Sequence, residues 1–489
     1  MKFFLKSLCV LLPLLAAVLT WNTLRLPATT PPAASPAALT AIDETGAAQR
    51  LAEALRIATV SYEDRSRIDG AALEQFATFL QSSFPKTHAT LTREFVGHSL
   101  LYTWRGSDAA AQPILLLAHM DVVPVEPGTE SAWTHAPFGG EIADGYIWGR
   151  GALDDKNNLM AWMETIESLL AQGFTPRRTL YFAFGHDEEI GGLEGAAKIA
   201  ALLKSRGVHA EFALDEGGAI TRGVVAGIAR PVASIMAAEK GYVTFRLTAH
   251  AVGGHSSLPT SETAIGELAR AVTRVRTRHM PGRLAPPVTD MLMRLAPEMP
   301  LARRVAIANR WLFSPLLVAM LSRDPVGNAL VRTTTAPTVF QAGVKDNVLP
   351  SEAYALINFR LLPGDSLDEV ARHVRLAVAD DRIEIRREGA FVNDASAVSR
   401  TDTPAFALLA RSVNQVFPDA LVATGLVFAA TDERHYAGLY DSRYNFSPNP
   451  FEKQDLARVH GSNERISVQD YAGMIRYYTR LLQNAAAAP

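Results

Sequence analysis

Apolar and polar positions along this chain switch between two periods, and the switching lays out its elements. Residues 45–60 and 69–84 carry apolar side chains at three-and-four spacing, as helices with one buried face do. Phe95 to Trp104, Ile114 to Ala118, Thr179 to Phe184 and Ala210 to Leu214 read as strands. Between them, Lys156 to Ala171 repeats apolar residues at helical spacing (Leu159, Met160, Met163, Ile166, Leu169, Leu170), and Gly195 to Ser205 reads as another helix. Short apolar strands alternating with helices predict an α/β domain built on a mostly parallel sheet with flanking helices.

From about residue 240 the pattern changes. Tyr242 to Ala249 alternates apolar and polar, Ala264 to Thr277 is helical, Thr338 to Gly343 and Ala353 to Leu361 are strand-like, Ser366 to Ala379 is helical and Arg382 to Arg387 is a last strand. That β-α-β-β-α-β order is the order of a ferredoxin-like α+β sandwich. After about 400 the chain returns to helix, strand and helix, ending with Val468 to Leu482. The reading is an α/β domain in two parts, 45–239 and 393–485, with a smaller domain, 240–392, inserted between them. Within the insert, 278–336 is extra, and its Trp311-Leu-Phe-Ser-Pro-Leu-Leu-Val-Ala-Met-Leu321 run is unusually apolar. We expect a helix packed into the local core there. The competing readings are a lid or groove for an apolar substrate and a contact with a membrane surface.

Bulk properties narrow the function. A chain of 489 residues exceeds one comfortable core, in keeping with two or more domains. Its net charge of −2 gives no electrostatic case for nucleic acid. The single cysteine, Cys9, excludes an internal disulfide framework and any cysteine-based metal site in the folded body. At the N-terminus, Lys2 and Lys6 precede an apolar run from Leu8 to Leu19, as in a secretory signal peptide. Residues 1–21 are therefore expected to be a signal peptide or signal anchor, and 22–44 a Pro/Ala-rich linker. This places the protein outside the cytoplasm, exported or anchored by that segment.

The chemistry sits at strand ends. The run Ile114-Leu-Leu-Leu-Ala ends in His119-Met-Asp121. Side chains two apart on a strand share one side, so both project from the C-terminal end, where open α/β sheets place ligands. A buried strand has no structural need for that pair. A metal site does, with histidine as ligand and a carboxylate to orient it. Four further clusters fall in the α/β portions: Gly149-Arg-Gly151-Ala-Leu-Asp154-Asp155-Lys156, His186-Asp-Glu188-Glu189, Asp215-Glu216-Gly217 and His460-Gly-Ser-Asn463-Glu464. Each alone is a weak signal. Together they form an N/O ligand set suited to zinc or a similar ion. Asp154, following two glycines, is the best candidate to bridge two ions. Glu188 and Glu189 can divide labour, one binding metal and the other acting as general base on a metal-activated water.

These motifs resemble those of the co-catalytic zinc exopeptidase and amidohydrolase superfamily that includes carboxypeptidase S, aminoacylase and succinyl-diaminopimelate desuccinylase. The similarity is greatest to the branch of carboxypeptidase S and the N-fatty-acyl-amino-acid hydrolases. It rests on Ala118-His119-Met-Asp121-Val-Val-Pro124, the Gly149–Lys156 and His186–Gly192 stretches, Leu214-Asp215-Glu216-Gly217, Gly254-His255-Ser-Ser-Leu-Pro259 and His460–Glu464, in family order. The resemblance implies two zinc ions, for which cobalt or manganese could substitute. It implies His119 on one ion and His460 on the other, Asp154 bridging, Glu189 as ligand, Glu188 as general base and Asp121 supporting His119. Asp215 supplies the remaining ligand, with Glu216 as the alternative, and the peptide after Asp154 is expected to be cis. His255 is implied to stabilise the oxyanion. Asn347 and Arg360, with Thr431 and Arg434, are implied to hold the substrate, a fork-shaped guanidinium suiting a carboxylate. The implied activity is cleavage of an amide or peptide bond next to a free carboxylate, on short peptides as a carboxypeptidase. The alternative is hydrolysis of N-acyl, including fatty-acyl, amino acids. The inserted domain is the implied lid and homodimer surface. A binding protein that has lost catalysis is disfavoured, because no ligand and no base is missing.

Overall fold

The computed structural model of the chain describes residues 2–26 and 40–487. The stretch 27–39, the middle of the expected linker, lies outside the described residues. The chain gathers into two compact units. Among the described residues, one comprises 40–237, Ser399–Gly425 and 431–487, the other 2–26, Ala238–Val398 and Leu426–Ala430.

The first unit is built on a mixed sheet whose centre is parallel. Leu180–Gly185, Ile114–His119, Ala210–Asp215 and Tyr440–Asn445 lie side by side in that order, all parallel. Antiparallel strands flank this centre on both sides, and at one edge Pro450–Glu452 pairs parallel with Ile220–Arg222. Ile114–His119 is buried at all six positions, and the side chains divide by the two-residue period of a strand. Leu116 and Ala118 join the core beneath the helices Glu44–Arg56, Lys156–Ala171 and Val468–Ala487. Leu115 and Leu117 join a separate core with the helix Ala196–Ser205. A strand covered on both faces needs apolar residues at every position, which is why it reads as a run rather than an alternation.

One expectation needs correction here. Phe95 to Trp104 is not a single strand but a hairpin, Thr92–Val96 against Ser99–Trp104, with Val96 opposite Ser99. Gly97 takes φ +62°, a left-handed conformation that glycine adopts without a Cβ clash and that a two-residue turn requires.

The second unit carries a four-stranded antiparallel sheet. Its order is Thr334–Ala342, Glu352–Leu361, Gly241–His250 and Ile383–Asn393. In chain order these are the second, third, first and fourth strands, the ferredoxin-like arrangement. Helices Ala264–Thr277 and Leu367–Val378 share a core with this sheet. The latter helix opens with a reciprocal Ser366–Glu369 capping box.

The extra segment forms the helices Pro286–Leu295, Leu301–Ala308, Arg310–Leu321 and Pro325–Val331. The expectation of a core-packed helix at 311–321 is not met. Leu317 is the buried residue of Arg310–Leu321, while Trp311, Leu312, Leu316 and Met320 are exposed. Apolar residues lie all round this helix, more than one buried stripe can cover. The helix Lys2–Leu24 packs on Leu301–Ala308 within the same unit. No helix among the described residues is long and apolar enough to cross a membrane.

Candidate metal centre

The C-terminal ends of the parallel strands bring the polar clusters together within the first unit, as the topology requires. His119 closes its strand and is buried. Its Nδ1 lies 2.9 Å from the Asp121 carbonyl oxygen and 3.4 Å from Asp121 Oδ1. With Nδ1–H donating there, Nε2 is left as an acceptor or metal donor, and it faces Asp154 Oδ1 at 3.0 Å. Asp121 therefore orients His119 mainly through its backbone. Its carboxylate does a second task, accepting the Ser61 hydroxyl at 2.6 Å and the backbone N–H groups of Glu188 and Glu189 at 3.1 and 3.2 Å. The strand end thereby fixes the loop that carries both glutamates.

Asp154 sits in a loop whose backbone is held from the far end of the chain. Glu464 Oε1 accepts the N–H groups of Gly151, Leu153 and Asp154 at 3.0, 2.7 and 3.2 Å. Glu464 Oε2 receives Arg150 Nη1 at 2.6 Å, and Arg150 Nη2 donates to the His460 carbonyl at 3.1 Å. The Asp154–Asp155 peptide is cis. Asp155 Oδ2 accepts the His119 backbone N–H at 3.2 Å. The second oxygen of Asp154 faces His460 Nε2 at 3.1 Å, and the same nitrogen lies 3.3 Å from Glu189 Oε2. His119, Asp154 and Glu189 each offer a donor atom within 4.8 Å of the others.

The electrostatics show what this geometry lacks. Burial pushes Glu188 well above the usual carboxylate range, with Asp432 and Glu189 adding repulsion against the pull of His119. Glu216 is raised for the same reason, by burial and then by Asp154 and Asp155. Hydrogen bonds to Asp154 and Glu189 push His460 up to about 10. Glu189 Oε1 is buried with no hydrogen-bond partner among the described residues. Several buried carboxylates around two imidazoles and an orphaned oxygen form a site short of positive charge, which a divalent cation supplies. The donors are nitrogen and oxygen only, a set that fits zinc, cobalt or manganese.

The structure does not treat all the expected residues alike. His119, Asp121, Asp154, Glu188, Glu189 and His460 come together. Asp215 spends one carboxylate oxygen on the Glu216 N–H and the other on the Glu433 N–H, both at 2.9 Å. Glu216 instead lies in the field of Asp154, Asp155, His119 and Glu188. Arg434 Nη1 donates to the Thr431 carbonyl at 2.6 Å and lies 4.0 Å from Glu188 Oε1. Thr431 is buried and its hydroxyl accepts Asn445 Nδ2 at 3.2 Å. His255, Asn347 and Arg360 belong to the second unit. There Ser257 donates to His255 Nδ1, Asn347 accepts the Ser256 N–H through its carbonyl, and Arg360 stacks over Tyr242.

Ser61 and Asp432 were not singled out from the sequence, and Glu464 was named only as part of the His460–Glu464 cluster. Ser61 and Glu464 act through hydrogen bonds that close only in the fold. Asp432 is buried with both carboxylate oxygens unpartnered among the described residues, close against Gly185 and Gly192, where any Cβ would meet its carboxylate.

The description Peptidase family M20/M25/M40 matches residues 115–484. The probable carboxypeptidase S-like 2 of Dictyostelium discoideum is 42% identical over 451 residues, covering 91% of this chain and 86% of that protein. The N-fatty-acyl-amino acid synthase/hydrolase PM20D1 of Xenopus tropicalis is 42% identical over 442 residues, 89% of this chain and 85% of its own. Among solved structures, the M20 family metallo-carboxypeptidase Sso-CP2 from Sulfolobus solfataricus superposes with a TM-score of 0.67 at 19% identity, over 92% of this chain and all of that one.

Proposed function

This chain belongs to peptidase family M20/M25/M40, a metal-dependent hydrolase of amide or peptide bonds, and from that premise we propose a two-metal site with the following roles. His119 and His460 would each hold one zinc ion, with Asp154 placed to serve both and Glu189 as a further ligand. The single observation that carries this reading is that the two oxygens of Asp154 face two different imidazole nitrogens, at 3.0 and 3.1 Å. One carboxylate with one histidine per oxygen is a bridge in waiting. For the remaining ligand the hydrogen bonding favours Glu216 over Asp215, reversing the expectation from sequence, because both Asp215 oxygens already hold backbone N–H groups.

Bound metal lowers the pKa of a water toward neutrality and polarises the scissile carbonyl. The chain's own residues do the rest. Glu188 removes a proton from the attacking water at its carboxylate and returns it to the leaving amine nitrogen. Its burial suits that cycle, since it raises the carboxylate above its ordinary range and makes it a stronger proton acceptor. Arg434, beside Glu188 and braced on the Thr431 carbonyl, supplies a guanidinium for the substrate's carboxylate. For Asn347 and Arg360 as substrate contacts, and His255 as oxyanion donor, the family resemblance carries the proposal.

Relatives named for carboxypeptidase S and for N-fatty-acyl-amino acid hydrolysis support two substrate classes, short peptides cleaved at the C-terminus and N-acyl amino acids. A panel of dipeptides, N-acetyl and N-lauroyl amino acids with zinc supplied separates them. Turnover confined to substrates lacking a free carboxylate next to the scissile bond would overturn the reading. Glu188→Gln should lose on the order of 10²–10⁴ in turnover while keeping its metal. Retained activity would sink the base assignment. We also propose export from the cytoplasm, supported by Lys2, Lys6 and the apolar run that follows, and a homodimer formed through the second unit.

A further inference from the structure

The helix Lys2–Leu24 is tied down along one narrow stripe. Asn309, fully buried, donates from Nδ2 to the Leu19 carbonyl at 3.1 Å and accepts from Asn22 Nδ2 at 2.9 Å. Thr23 is buried beside it. Among the described side chains of the helix, Leu11, Leu14, Val18 and Trp21, at three-and-four spacing, are all exposed, Trp21 by 58%. The neighbouring Arg310–Leu321 helix is alike, with Trp311 exposed by 61% and Leu312, Leu316 and Met320 exposed with it. Soluble monomers rarely leave so many large apolar residues together in water.

Charge says what covers them. Residues 1–26 hold Lys2, Lys6 and Arg25 and no acidic residue, and 278–336 hold eight arginines against three acidic residues. These two segments carry +8, in a chain whose total is −2, so everything else carries −10. Arg25, Arg310 and Arg323 are exposed. A second copy of the chain would bring the same positive charge against itself. An anionic bilayer satisfies both features at once, because apolar side chains enter the interface while arginines meet the headgroups, and tryptophan favours that boundary.

We propose that the face built from Lys2–Leu24, Leu301–Ala308 and Arg310–Leu321 seats the protein on an anionic lipid bilayer, with these helices lying in the interface. The inference is independent of the reaction. Its test is sedimentation of the full chain with phosphatidylcholine vesicles, with and without phosphatidylglycerol, followed also by tryptophan emission. Binding to the phosphatidylglycerol vesicles, weakened by salt and accompanied by a blue shift, is expected. The exposed-site variant Trp311→Ser/Leu316→Gln/Met320→Gln should weaken it about tenfold or more. Arg310→Gln/Arg323→Gln should reduce the preference for the anionic lipid. Leu14→Gln/Val18→Gln/Trp21→Gln should act like the first variant, and if it fails to fold the first variant decides. Three results overturn the proposal: no vesicle binding, equal binding to phosphatidylcholine alone, or a dimer that the Trp311 variant dissolves in a protein that ignores vesicles.

Discussion

Replacing Glu464 by glutamine tests how the bridging carboxylate is held. Glu464 is fully buried, and burial pushes its carboxyl up to about 7 although Arg150 pulls it back. The ion pair itself thus adds little net stability, as expected for two charges taken out of water. Removing one partner is a different matter. Glutamine keeps an oxygen for the N–H groups of Gly151, Leu153 and Asp154 but turns an N–H toward Arg150, whose guanidinium is 2% exposed. A buried charge left unpaired costs about 3–5 kcal/mol. Because the Asp154 N–H and the His460 carbonyl hang on this pair, both proposed metal donors should loosen as well.

Two assays read these consequences apart. Hydrogen exchange should show the amides of Gly151, Leu153 and Asp154 losing protection in Glu464→Gln while the central strands keep theirs. Zinc titration into chelator-stripped protein should show affinity down by about 10–100-fold, as for other residues that orient ligands. Arg150→Met alone strands the opposite charge, so the double variant should be less damaged than the two singles combined, by about 2 kcal/mol or more. Protected amides with unchanged zinc affinity in Glu464→Gln, or strictly additive variants, would refute the reasoning.

Asp121→Asn should keep the fold but lower metal affinity by about 10–100-fold, since it perturbs the loop of Glu188 and Glu189 as well as His119; zinc titration with unchanged affinity would count against it. Glu216→Gln should release metal on dialysis more readily than Asp215→Asn, whereas Asp215→Asn should melt lower, and elemental analysis with thermal melts would expose the opposite ranking. Lys240 is buried in the second unit and donates to the Ala329 and Arg332 carbonyls. Burial, with Arg360 adding to it, pulls the lysine down to about 7. A lysine lowered in the folded state is protonated more in the unfolded state, so folding should strengthen as pH rises from about 7 to 10, by roughly 4 kcal/mol at most. Stability measured against Lys240→Met across that range should show the rise, and a flat or falling difference would contradict it.

Legibility in the sequence followed the range of the interaction. Ala264–Thr277 appears with the boundaries its periodicity implies, and the Ile114–His119 run is a buried strand, because period is a local property set by which face is covered. The hairpin at Gly97 was missed because one glycine in a left-handed turn leaves the apolar run on either side almost unchanged. The partners of the site were missed for a different reason. Ser61 reaches Asp121 across 60 residues and Arg150 reaches Glu464 across 314, separations over which no spacing rule operates. The Trp311 run was misjudged because hydrophobicity reports the wish to leave water, not what lies alongside.

The buried carboxylates of the site sort into two groups by what they bind, and the sorting separates scaffold from chemistry. Asp121, Asp155, Asp187, Asp215 and Glu464 accept backbone N–H groups, from Glu188 and Glu189, from His119, from Glu194 and Gly195, from Glu216 and Glu433, and from the Asp154 loop. Backbone donors fix the direction of a carboxylate and occupy its lone pairs, so such a group has less to offer a metal. Asp154 and Glu189 face imidazoles instead, and Glu188 faces Arg434. Glu216 is raised chiefly by burial and by other carboxylates. Acids in this second group have unspent oxygens and mutual repulsion that only a cation or a proton relieves. The same strand ends therefore use identical side chains for opposite purposes, and the difference lies in whether the neighbouring backbone has already claimed them.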